Sequence, residues 1–123
     1  TSSQNTSPTD FKESPLFHET YAFYKALLKN QCHIPKVYRY SLWKEITDTA
    51  LFIVESVLKA GYTPASEKKD CLKPVPFKVD LLHALIRASF DLNIIPEAQC
   101  VAYQKQLVPI GRMVTGWIKS IKH

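Results

Sequence analysis

At 123 residues, 46% of them hydrophobic, the chain can build one domain around a real core and is too short for two. Sixteen Lys and Arg against eleven Asp and Glu leave a formal charge of +5, a field that attracts polyanions, so nucleic acid or an acidic surface is the expected partner. No apolar run approaches the roughly 20 residues of a membrane span, no charged-then-apolar signal opens the chain, and three widely spaced cysteines without a C-x-x-C pair argue against a disulfide framework, so a soluble protein of the reducing cytoplasm is expected.

Residues 1–14, TSSQNTSPTDFKES, carry a single large apolar residue and cannot repay their ordering entropy by burial; a disordered tail is expected there, with one domain over 15–123. Met113 is the only methionine, so native sequence is expected to precede Thr1. Ser14 followed by Pro15 makes a helix start, the hydroxyl capping free amides and the proline taking the first helical position. Phe17, Tyr21, Tyr24 and Leu28 recur at spacings of four and three, which predicts the apolar stripe of a first helix running to about Gln31.

Pro35 interrupts that pattern, and CHIPKVYRY leads to Ser41, a second plausible cap. Leu42, Ile46, Ala50, Ile53, Val57 and Ala60 line one face of a second helix, widened by Leu51, Val54 and Leu58 beyond what a lone surface helix would show. Gly61 is expected to stop it in a left-handed conformation, and YTPASEKKD reads as a loop with room for one helical turn after Ser66. Pro74 and Pro76 forbid a continuous helix through their stretch, yet Pro76 can open a third helix with Val79, Leu82, Ile86, Ser89 and Phe90 on its face, ending near Asn93. Pro96 starts a fourth, striped by Val101, Leu107, Ile110, Val114, Trp117 and Ile121 and expected to bend at Pro109. No window alternates as strands do. An all-α, up-and-down four-helix bundle is predicted.

Chemistry is sparse in this pattern. Cys32 and His33 are adjacent while His18, Cys71, His83, Cys100 and His123 are scattered, so no metal site is expected. No activated nucleophile and no Gly-rich phosphate loop appears; neither catalytic residues nor a cofactor is expected, and an enzyme is the least favoured class. The connector Pro35-Lys36-Val37-Tyr38-Arg39-Tyr40, followed by Trp43 and Lys44, interleaves cations with flat rings. Such a surface can grip phosphates and stack bases, or its rings can simply pack onto the bundle while the cations stay wet; both readings stand. Arg87 lies four residues before Asp91, an ion-pair spacing first and a nucleic-acid contact second. Gly111 and Gly116, next to Trp117, make the last helix slim enough for close packing inside the bundle or for a subunit interface. Arg112, Lys119 and Lys122 give that helix a basic end, suited either to its dipole or to a polyanion.

Taken together, IPKVYR (34–39), SLWKEITDTAL (41–51), LLHALIRASFDLNII (81–95) and IGRMVTGWIKS (110–120) resemble the accessory variability determinant of diversity-generating retroelements and its relatives, the four-helix-bundle proteins of ribosomal RNA intervening sequences. The likeness covers roughly residues 15–121. Its most specific part is Gly111, Arg112, Met113, Gly116, Trp117 and Ser120, supported by Pro35, Lys36 and Arg39 and by Leu85 to Ala88. The resemblance implies a basic bundle that assembles as a ring-like homopentamer, binds template RNA and cDNA, and associates with the retroelement reverse transcriptase without being an enzyme itself. It places Lys36, Arg39, Arg87 and Arg112 at recurrent basic positions. The other reading is a structural bundle of the intervening-sequence type that acts through protein contacts and has no retroelement role.

Overall fold

The computed structural model describes residues 14–121; the expected tail, except Ser14, and the predicted contact Lys122 lie outside them. In chain order the elements are α1 (Pro15–Lys29), a 3-10 turn (Gln31–His33), α2 (Lys36–Arg39), α3 (Leu42–Tyr62), α4 (Ala65–Leu72), α5 (Val75–Asp91) and α6 (Glu97–Ser120), with no strand among the described residues. α1 packs on α3 and α6, α3 on α5, and α5 on α6, which closes a four-cornered bundle of the long helices. Contacts at matching levels make neighbours antiparallel. Leu27, late in α1, meets Trp43 at the start of α3, and Asn30 just beyond α1 meets Gln99 at the start of α6. Late in α6, Gly111 faces Val79 early in α5. The predicted four-helix architecture is therefore present, two short helices bridging its connections.

The core is built from Phe23 and Leu27 of α1, Trp43, Ile46, Ile53 and Val57 of α3, Leu82 and Ile86 of α5, and Leu107 and Ile110 of α6, all at most 2% exposed. Each such side chain contributes about 1.5–3 kcal/mol by leaving water. α3 buries the widest arc because α1, α2, α4 and α5 all touch it, which is why its apolar face outruns a single stripe.

Ser14 does cap α1, accepting from the Phe17 amide at 3.2 Å, with Pro15 in the first turn. The buried stripe of α1, however, is Leu16, Thr20, Phe23 and Leu27, one residue ahead of the predicted Phe17, Tyr21, Tyr24 and Leu28. The two stripes share one spacing and lie side by side on the helix. Chemistry separates them: a buried Tyr hydroxyl needs a partner, whereas the Thr20 hydroxyl already donates to the Phe17 carbonyl at 2.9 Å and goes inside at little cost. The outer stripe keeps Phe17 stacked on Tyr21, ring centroids 5.8 Å apart.

Other boundaries also shift. Ser41 makes no side-chain cap; its hydroxyl donates to the Val37 carbonyl at 3.0 Å. α3 runs through Gly61 to Tyr62, and no glycine has positive φ. The left-handed stop occurs instead at Asn93 (φ 61°) after α5, where the Ile94 amide reaches the Ser89 carbonyl at 2.8 Å and the Asn93 amide the Phe90 carbonyl at 2.9 Å. Asn tolerates this conformation better than most residues with a side chain, and the two bonds satisfy carbonyls left free at the helix end. The expected loop after Gly61 contains a full helix, α4, anchored by the buried Leu72. α5 begins at Val75, with Pro74 at the capping position and Pro76 in the first turn, where missing amides have no partner to lose. α6 continues across Pro109.

Candidate nucleic-acid interface

The formal charge is unevenly placed along the chain. Between Glu19 and Glu45 lie Lys25, Lys29, Lys36, Arg39 and Lys44 and not one acid; after Glu97 lie Lys105, Arg112, Lys119 and Lys122, again without an acid. Folding sends these two runs to different parts of the surface. The first covers the last turns of α1, the connector and the start of α3; in the second, Lys105, Arg112 and Lys119 follow α6.

In the connector, the residues after Pro35 form the single turn α2, with Lys36 at its start and Tyr40, its capping residue, four positions on; both face water, Tyr40 being 66% exposed. Val37 is exposed as well. Trp43 faces the other way: it is 1% exposed, and its indole Nε1 donates to the Leu27 carbonyl at 3.2 Å. Tyr38 is half-buried against the core. The two readings of this motif thus divide by residue, Trp43 and Tyr38 packing the connector onto the bundle and Tyr40 presenting its ring to solvent.

Arg39 is only half-exposed, and its Nη2 donates to the carbonyls of Ile34 at 3.0 Å and Cys32 at 3.5 Å, with Nε buried and unpartnered. The guanidinium therefore staples the 3-10 turn to α2 and holds the loop in shape. Lys44 pairs with Asp48 at 2.6 Å, both exposed, and this hydrogen bond holds its ammonium above the ordinary lysine value. Arg87 pairs with Asp91 at 3.0 Å, as its spacing predicts, and is likewise raised by that bond. These are the two salt bridges among the described residues. Lys36, Arg112 and Lys119 are exposed without one.

The predicted contacts are therefore not one track. Lys36, Arg39 and Lys44 gather at the connector, whereas Arg112 and Lys119 lie on the later half of α6, with Arg87 facing the early half of α6 across a shared groove. Lys25, Lys29 and Lys105 escaped the sequence reading. The first two belong to the acid-free run on α1, and Lys105 precedes Arg112 by the same seven residues that separate Arg112 from Lys119, a periodicity that names it.

The three residues expected at a subunit interface also separate. Gly111 is used inside the bundle, where an added Cβ would stand 3.4 Å from Val79 Cγ1. At Gly116 a Cβ would meet nothing within 4 Å. Gly116 and the half-buried Trp117 line an apolar hollow of about 460 Å³ with Leu16 and Met113, where the start of α1 meets the end of α6, and Lys68 of α4 sits 5.7 Å from the Trp117 ring centre. Among the described residues no three His, Cys, Asp or Glu side chains gather as metal ligands would, and no helix is long and apolar enough to cross a membrane.

The class that the fold defines is a helical bundle with cation-rich surfaces. No protein family, curated protein or solved structure matches the chain.

Proposed function

We propose that the chain is a non-catalytic accessory protein of a diversity-generating retroelement, a homo-oligomeric bundle that holds template RNA and cDNA for the reverse transcriptase in the cytoplasm. One observation carries the nucleic-acid part: in the acid-free run from Lys25 to Lys44, Lys36 and Tyr40 lie four positions apart at the α2 turn and both are exposed. Cations there neutralise phosphates and the ring stacks on a base, a pairing that binds single strands with little sequence choice. Arg39 contributes by holding the connector in shape, and Lys44 approaches as one half of its pair with Asp48. Support for the retroelement and polymerase parts comes from the likeness in IPKVYR and GRMVTGWIKS together with the helical-bundle fold that likeness requires. If several copies close a ring, the modest charge of one subunit is multiplied and weak contacts add through effective concentration.

The test is binding of single-stranded RNA by the full chain across a salt series, alone and with a retroelement reverse transcriptase, together with inspection of the neighbouring genes. Affinity should fall steeply as salt rises, and Lys36→Ala combined with Tyr40→Ala should weaken binding and flatten the slope. Binding that ignores salt, or that the double variant leaves intact, would refute the assignment; an absence of any neighbouring reverse transcriptase gene would favour the structural bundle of the intervening-sequence type.

A further inference from the structure

Along α6 the side chains of Val101, Lys105, Val108, Arg112, Thr115 and Lys119 follow one another at alternating spacings of four and three residues, and all six face solvent. Each cation stands four positions after a Val or Thr, the relation of a flanking position to a seam position in helices that pair side by side. Val101 and Val108 remain 45% and 42% exposed on the same helix that buries Leu107, Ile110 and Val114. A phosphate track needs cations and has no use for Val101 and Val108 among them.

The stripe borders a groove between α5 and α6. Two hollows of about 450 and 300 Å³ meet at Val108, one floored by Phe90, Cys100 and Gln104, the other by Val79, His83 and Leu107. The floor is braced: the His83 ring bonds the Gln104 side-chain oxygen through Nδ1, the Gln104 amide nitrogen donates to the His83 carbonyl at 3.1 Å, and Gly111 lets Val79 come close. Lys105 and Arg112 stand on the α6 rim, Arg87 with its partner Asp91 on the α5 rim; the acids lining the groove are Asp80 and Glu97.

We propose that this groove is the docking site for an amphipathic helix of another protein, apolar along its seam and acidic along its flank. Charge complementarity selects the occupant, since the two α6 cations of the groove, Lys105 and Arg112, are continued in the same register beyond it by Lys119, with no acid after Glu97. A second copy of this chain is a poor fit. Among the described residues its richest acidic face, Glu45, Asp48 and Glu55 on α3, is interleaved with Lys44 and Lys59, Asp48 is already paired, and Phe52 beside it lies under Lys78 Nζ at 5.2 Å. Covering Val101 to Lys119 takes a partner helix of about 18 residues, or roughly 27 Å. The site stands apart from the connector and does not rest on the nucleic-acid reading.

The experiment titrates the full chain with a labelled synthetic helix carrying Leu at seam positions and Glu at flanking ones. Saturable binding is expected. Lys105→Glu with Arg112→Glu should weaken it roughly tenfold or more, the scale of a lost central contact, and should instead favour the same peptide with Lys in place of Glu. Val108→Ser, at a surface position that keeps the fold, tests the seam if the charge reversal unfolds the chain. Lys36→Ala with Tyr40→Ala should leave peptide binding unchanged, so failure of one site is separable from failure of the other. Equal binding of a peptide of shuffled sequence, displacement by single-stranded RNA, or loss of self-association in Val108→Ser would each overturn the proposal, pointing to a bare electrostatic field, a nucleic-acid surface or a second copy.

Discussion

The indole of Trp43, at the start of α3, donates from Nε1 to the carbonyl of Leu27 in the last turn of α1, across 3.2 Å of core. That carbonyl is one of the four that a helix end leaves without an internal donor, so Trp43 caps α1 from inside the bundle. The same ring leans on Tyr103 of α6 at 6.2 Å, and Tyr103 meets Phe23 of α1 edge-on at 6.0 Å, which ties three helices together at one level. Trp43→Phe keeps most of the ring and removes the donor; a buried unsatisfied carbonyl should cost about 1–3 kcal/mol. Trp43→Ala adds a cavity and should cost about 3–5 kcal/mol. Urea unfolding checks both, and equal stability of Trp43→Phe and the parent would remove the capping role.

Arg39 should behave as a staple. Its Nη2 bonds to Ile34 and Cys32 lie within the connector, so Arg39→Ala should lower stability by about 1 kcal/mol, while the exposed Lys36→Ala changes it little. Lysine lacks the planar fork and should not restore the loss. The informative measurement is the unfolding midpoint read beside RNA affinity in each variant: Arg39→Ala should lose both, Lys36→Ala affinity alone. Unchanged stability in Arg39→Ala would return this residue to the list of direct contacts.

Much of this architecture is legible in the sequence, for reasons that particular residues show. Ser14-Pro15 and the 3.6-residue recurrence of Leu82, Ile86, Leu107 and Ile110 are local signals, and local signals survive folding. What periodicity could not decide was phase: Leu16–Leu27 and Phe17–Leu28 are equally regular, and only the hydrogen bond of Thr20 and the wet tips of the tyrosines choose between them. Gly61 looked like a stop because its type permits one, yet it remains helical, while Asn93 takes the left-handed position. The site was legible as a set of cations but not as a geometry. Which side Trp43 faces depends on a carbonyl 16 residues earlier, and Arg39 turns inward because two carbonyls of a bent loop converge on it.

The two late glycines should respond differently to alanine. A methyl at Gly116 enters open space and removes the conformational cost of glycine within a helix, so Gly116→Ala should stabilise by up to about 1 kcal/mol. At Gly111 the methyl reaches Val79 Cγ1 at 3.4 Å, and the strain of tight packing should offset part of the same gain. Thermal unfolding of the two single variants measures the difference directly. If Gly116→Ala instead lowers stability or disperses an oligomer, the hollow it shares with Trp117 is filled by something that needs the space.

Tyr103 makes stability depend on pH at the alkaline end. Its ring is 4% exposed, and burial pushes its phenol above the ordinary tyrosine value, with a contact from the Asn30 side chain drawing it partly back. The folded state favours the neutral phenol, so the unfolded chain releases this proton first. The contribution is complete below the ordinary value near 10 and is lost as pH rises through the higher folded value. Stability should therefore fall more steeply in the parent than in Tyr103→Phe as pH rises above about 10, since the variant keeps the ring against Phe23 and Trp43 and has no proton to lose. Lysine titration is common to both proteins and cancels in the comparison. Urea midpoints collected across that range supply the two slopes, and parallel slopes would show that the phenol titrates alike in the folded and unfolded chain.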